Sequence, residues 1–336
     1  MTVVAHPRPS APQASAEASG HGVSWGTVRT VLRLHRTALV VWTLVVVGAG
    51  GCLVWLGTVA AGDERAALEA CGGAGRRLCG MTITGGRGFE NGMSLIGLFL
   101  RYSFLAVAAF AGGALIGREL ENGTAHLAWT QGVTPLRWLT AKLGVPALVL
   151  TTSTGGLVLL YSWIWADNQD LLSYQWMGDA YPGRGPGAVA YVLCALAVGA
   201  LSAFLLRRTL PALAAAVGVT WALGFALAQF REDLWPTVTS TSKTIGGPSI
   251  PDGAWQVENG ALVHGRPVAN FAYWRCDSGA AETRRCLDDL GVTGYYASYH
   301  PESHYWPIHL VETGILLAVT ALATAAVHWL LRRRTA

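Results

Sequence analysis

Residues 117–142 read GRELENGTAHLAWTQGVTPLRWLTAK, a polar stretch of charges and turn formers set between two long apolar runs. Arg118, Glu119 and Glu121 close the first run. Asn122-Gly123 breaks a helix, because glycine enters the left-handed region without steric cost. Thr124 is placed to cap a short helix through Trp129. Thr134-Pro135 signals a restart: a hydroxyl N-cap, then a proline at the first helical position, where its missing N–H is not needed. Arg137 and Lys142 ride on the helix that enters the second apolar run. The chain therefore leaves an apolar phase, makes one short helix along its surface and goes back in. On composition alone the stretch also reads as a solvated loop with charges at a membrane boundary.

The rest of the chain supplies that apolar phase. Of 336 residues, 52% are hydrophobic and only 13% charged, against about 25% charged in soluble domains. The net charge of +4 is small, which disfavours nucleic acid as a partner. A hydrocarbon core about 30 Å thick needs roughly 20 apolar residues of helix. Six runs qualify: residues 38–60, 95–117, 143–165, 187–206, 210–230 and 307–330. Backbone groups in lipid must pair internally, so all six are expected to be helices. Arg207-Arg208-Thr209 joins the fourth and fifth as a tight hairpin.

The expected fold class is an all-α polytopic membrane protein with six transmembrane helices and a small disulfide-containing outer loop domain. Its parts are a disordered tail (1–23), an amphipathic interfacial helix (24–37), five spans with the 117–142 loop (38–230), an extracytoplasmic loop domain (231–306), and a sixth span with a basic tail (307–336). In the interfacial helix, capped by Ser24, Arg29, Arg33 and Arg36 share one face and Trp25, Val28, Leu32 and His35 the other. Arg207-Arg208 and Arg332 to Arg334 are unopposed by acids, whereas Asp167, Asp170 and Asp179 oppose Arg184 in the 166–186 loop. Both termini are accordingly expected in the cytoplasm of a cell-membrane protein.

The cysteines point the same way. Cys71 and Cys79 lie in the first outer loop, and Cys276 and Cys286 in the last. Two locally spaced pairs on one face read as disulfides in an oxidising compartment. Cys52 and Cys194 fall within spans and read as packing thiols. In the outer domain, Asn259-Gly260 inside WQVENGALV signals a β-hairpin. A short helix over Glu282–Leu290 is expected to carry Cys286 and stop at Gly291.

Chemistry-bearing residues are few. No GxxxxGK[ST] phosphate loop occurs: Lys142 and Lys243 are the only lysines and neither follows a glycine. His300, Glu302 and His304 resemble metal ligands only faintly, with Pro301 against a regular helix, and no metal or cofactor is expected. Within the spans, Arg101, Glu312 and His328 stand out as ionisable residues. Arg101 is close enough to a boundary to snorkel, and Glu312 either pairs with Arg101 or lines a path. Three scattered groups make a poor active site.

The 117–142 stretch also resembles the first cytoplasmic loop of permease subunits of type-two ATP-binding-cassette exporters. The resemblance is carried by Arg118, Glu119, Glu121, Gly123, Thr124, Leu127, Pro135, Arg137 and Lys142. The 305–314 ending, YWPIHLVETG, is similar to actinobacterial-type members. The resemblance implies a coupling helix docking on a separate ATP-binding subunit, with His126, Trp129 and Gln131 added to the contact. It implies a connecting helix before the first span. It also implies a second permease protomer, in a homo- or heterodimer, against the first and fifth spans, where Gly48, Gly50, Gly51 and Ala212 to Gly218 are small. Helix packing within one protomer explains those small residues equally well. The alternative function is a non-transporting accessory, sensor or immunity protein that binds through its outer loop.

Overall fold

Apolar sequence of span length becomes helix because a helix satisfies every internal backbone group within itself. In the computed structural model, residues 25–70, 88–130, 133–172, 181–245, 247–276 and 280–335 are described. The tail 1–23, Ser24, Cys71, Cys79, Asp179 and Gln131 lie outside them. Six helices are long and apolar enough to cross a membrane. They are α2 (Arg36–Ala70), α3 (Gly88–Glu121), α5 (Pro135–Asp167), α6 (Gly187–Leu206), α7 (Thr209–Gln229) and α9 (Tyr305–Thr335). Before them lies α1 (Trp25–Leu34), and between α3 and α5 lies α4 (Thr124–Thr130).

The first three spans are longer than their apolar runs. Residues 61–70, AGDERAALEA, are good helix formers and carry α2 onward. Arg65 there bonds the Asp170 carboxylate at 3.0 and 3.1 Å and the Asn168 amide oxygen at 2.9 Å. Glu64 accepts the backbone N–H of Phe89, so α2 caps the start of α3.

α6 is the most enclosed span, and α3, α5, α7 and α9 all pack on it. Small residues permit the approach. α3 passes through a π-helical turn at Ala111–Leu115. A Cβ on Gly199 would stand 2.6 Å from that of Ala111, and one on Gly112 would stand 2.9 Å from the Ala212 carbonyl oxygen. Ala212 and Ala216 are thus used inside the protomer, whereas Cβ atoms at Gly48, Gly51 and Gly218 would meet nothing.

Between α7 and α9 the chain forms a small domain with a four-stranded antiparallel sheet, β1 (Val238–Ser242), β2 (Trp255–Val263), β3 (Arg266–Ala269) and β4 (Val292–His300), ordered β1-β4-β2-β3. The hairpin expected at Asn259-Gly260 is not there. Both residues lie within β2, and the turn falls at His264-Gly265, whose φ values are 49° and 76°. Gly260 serves close approach instead: a Cβ would stand 2.1 Å from the Val268 carbonyl oxygen. Helix α8 (Ala280–Asp289) carries Cys286, disulfide-bonded to Cys276, and ends before Gly291 at φ 72°. His300 ties the end of β4 to the turn before α9 and to the residues that follow α7. The Nδ1 atoms of His300 and His304 are 3.0 Å apart, and His300 Nε2 lies 3.1 Å from the Glu232 carbonyl oxygen. No group of three potential metal ligands occurs among the described residues.

Candidate functional site: a loop helix and a buried ion pair

The two groups of interest lie at opposite ends of the bundle. At the loop end, Asn122 and Gly123 (φ 71°) terminate α3. The Gly123 carbonyl accepts from the N–H groups of His126 and Leu127, starting α4. Thr124 does not cap forward; its hydroxyl donates back to the Glu119 carbonyl at 3.4 Å. The Thr134-Pro135 restart is as read, with Thr134 Oγ1 accepting from the Arg137 N–H at 3.3 Å.

Burial divides α4 into two faces. Ala125 is fully buried, while His126 and Leu127 are exposed, Leu127 by 60%. Trp129, expected among the ATPase contacts, is half-buried. Its ring meets Trp138 edge-on at 5.7 Å, and Trp138 meets Phe204 at 6.5 Å. That aromatic ladder joins α4 through α5 to α6.

The two glutamates expected to face a partner are engaged internally. Glu119 pairs with Lys142, whose side chain is 3% exposed, and Lys142 Nζ lies 3.0 Å from His35 Nε2. Burial, then the Lys142 charge, pushes the His35 imidazole down to about 4. A neutral ring can accept from the ammonium, so α3, α5 and the end of α1 are linked in series. Glu121 accepts from the backbone N–H of Thr209 at 2.9 Å and from its hydroxyl, linking α3 to α7. Arg118 is exposed and Arg137 and Pro135 are half-buried. Arg29 and Arg33 on α1 and Arg36 at the start of α2 are exposed, and Val31 is buried against the bundle.

At the other end sits Glu312, 1% exposed. Its partner is Arg231, not Arg101: Arg231 donates through Nη2 at 2.9 Å and Nε at 3.1 Å. Tyr191 donates to the same carboxylate at 2.7 Å and Tyr181 at 3.1 Å. Four donors occupy the four acceptor positions of a carboxylate. Burial works against the charge on Arg231, and Glu312 more than offsets it, raising its pKa. Burial, then Glu312, pushes the Tyr181 hydroxyl up. Arg101 lies beside the group, sharing a small recess with Tyr191 and Arg231, and its guanidinium is 5.4 Å from the Tyr102 ring.

His309 fills the space next to this carboxylate. Gly185 and Gly187 leave room for it: a Cβ on Gly185 would stand 1.9 Å from His309 Nε2. Arg184 lies over the Trp165 ring at 3.4 Å. Sequence reasoning missed Arg231, Tyr181, Tyr191 and His309. Arg231 opens a run, Arg-Glu-Asp, that reads as solvated, and only the glycine-dense 183–187 segment hints at close packing.

A family model described as "ABC-2 membrane transporter related" matches residues 42–231, from the first span through the loop to Arg231. No curated protein and no solved structure matches the chain.

Proposed function

The chain belongs to the ABC-2 membrane transporter related family, and from that premise we propose that it is the membrane-spanning permease of an exporter driven by a separate ATPase. Its six apolar helices make it a multi-pass cell-membrane protein. It carries no phosphate-binding GxxxxGK[ST] loop, so ATP chemistry falls to another chain.

The observation that carries the proposal is the wiring of α4. A helix of seven residues presents His126 and Leu127 outward. Behind it, Glu119–Lys142–His35 and Glu121–Thr209 run to α1, α5 and α7. A displacement of α4 by a docked ATPase therefore reaches three spans, α3, α5 and α7, and the helix α1 at once through packed, hydrogen-bonded contacts, biasing a two-state bundle. The termini and α4 are cytoplasmic in this reading, and the sheet domain is outside. A second protomer packs on the exposed apolar faces of α2 and α7, which include Leu44, Val47, Trp221 and Phe225.

The test is affinity purification of the tagged full chain from its native membrane. An ATP-binding chain co-purifies with the parent and is lost from the variant His126→Ala/Leu127→Ser, with insertion unchanged. One observation favours a second reading, a non-transporting accessory, sensor or immunity protein. The sheet domain has a groove of about 570 Å³ lined by uncharged side chains that include Gln256, Asn259, Trp274 and Tyr296. Recovery of no ATP-binding chain with the parent would transfer the function to that domain.

A further inference from the structure

Two cavities adjoin beneath α1. The larger, about 910 Å³, lies at the loop end, where Thr30, Arg118, Glu119, Asn122, Thr124 and Lys142 are among its lining. The smaller, about 350 Å³, runs on between α1, α2, α3 and α5, past Trp42, Val45, Phe99, Val107 and Val149. Val31, His35, Ala38 and Phe110 border both. Side by side, they give a slot with a polar mouth and an apolar end. Among the described residues, Ser103 is the one hydroxyl at the apolar end, and it donates to the Leu100 carbonyl.

The shape and charge of the slot select its occupant. The polar, basic mouth and the apolar lining of the far end together match an amphiphile with a charged head and an alkyl chain. At the mouth, Lys142 and Glu119 neutralise each other, leaving Arg118 as surplus charge, with Arg29, Arg33 and Arg36 exposed on and beside the α1 wall. A basic site at the membrane boundary attracts anionic headgroups and repels cationic ones. The side-chain amide of Asn122 can donate to a further phosphate oxygen.

We infer that this slot binds one anionic phospholipid from the leaflet on the α4 side, its head at Arg118 and one acyl chain between α1, α2, α3 and α5. The lipid would fill the space behind the Glu119–Lys142–His35 link, so its presence would set how firmly α1 is held to the bundle. The inference stands on the slot alone and does not require an ATPase.

The experiment uses the full chain in nanodiscs of equimolar phosphatidylglycerol and phosphatidylcholine, followed by release into native mass spectrometry. One phospholipid per chain should survive collision energies that strip the annular lipid. Phosphatidylglycerol should be preferred by about fivefold, the ratio that one basic residue near a surface supplies. Ala106→Phe, at an exposed position that lines the apolar end, should abolish retention. Arg118→Gln should keep the lipid and erase the preference, and it serves as the independent arm if the first variant misfolds. Equal retention by parent and Ala106→Phe would overturn the inference, as would an unchanged preference in Arg118→Gln. A parent without lipid, whose dimer fraction falls in Ala106→Phe, would assign the slot to a second copy and overturn it too.

Discussion

Arg231 and Glu312 are 81 residues apart, yet their side chains meet through two hydrogen bonds of 2.9 and 3.1 Å in the interior. The pair closes the end of α7 onto α9 where the sheet domain begins. Removing one partner strands a buried charge, which costs about 3–5 kcal/mol. Glu312→Gln and Arg231→Met should each lower the unfolding temperature of the purified protein sharply. The double variant Arg231→Met/Glu312→Leu should lose less than the sum, because the two residues are directly coupled. Strict additivity in thermal unfolding would show that the pair does not act as a unit.

The loop end should separate stability from partner binding. Lys142→Met leaves Glu119 without its partner in a half-closed setting and should destabilise the chain by about 1–3 kcal/mol. His126→Ala and Leu127→Ser alter exposed positions and should each stay within about 0.5 kcal/mol of the parent. Thermal unfolding of the three variants side by side checks the contrast. A Leu127→Ser loss as large as that of Lys142→Met would make α4 a structural element.

His35 supplies a pH dependence with a definite sign. Its pKa falls from an ordinary value near 6.5 to about 4 in the folded protein, through burial and then Lys142. Between those values the unfolded chain binds more protons than the folded one, so stability rises with pH. The contribution is complete above pH 6.5 and is lost as the pH falls toward 4. Unfolding temperatures from pH 4 to 7 should therefore slope upward in the parent, and the slope should flatten in His35→Phe.

The Cys276–Cys286 disulfide closes a short loop, with a sequence separation of 10. The chain-entropy relation assigns about 3 kcal/mol to such a closure. Non-reducing peptide mapping should find the pair oxidised, and Cys276→Ser/Cys286→Ser should loosen the sheet domain while leaving the six spans inserted. The same mapping tests the expectation for Cys71 and Cys79, which lie outside the described residues.

Orientation is open to a direct measurement. Single cysteines introduced at His126 and Gln256 should differ in intact cells: an impermeant thiol reagent should label position 256 from outside and position 126 only after lysis. Labelling of position 126 in intact cells would place α4 outside and remove the basis for an ATPase contact there.

Much of this protein is written in short-range sequence pattern. The six spans are legible because about 20 apolar residues in succession have few alternatives to a lipid-facing helix. The Thr134-Pro135 restart and the Asn122-Gly123 break are legible because caps and left-handed turns are properties of two or three adjacent residues. Asn259-Gly260 misleads for a specific reason. Glycine answers two needs, a positive φ and a close neighbour, and only the position of Val268 across β2 and β3 shows which applies. Likewise Glu312 is visible in the sequence as a buried acid, but its choice of Arg231 over Arg101 depends on how α7 and α9 pack around α6. Glu119 and Glu121 look like partner-facing charges until Lys142 and Thr209 arrive from other helices to meet them. Local pattern determined the six helices, the Thr134-Pro135 cap and the membrane class. The pairing of charges was decided by the tertiary structure, because each pair joins residues that only the packed bundle brings within hydrogen-bond reach.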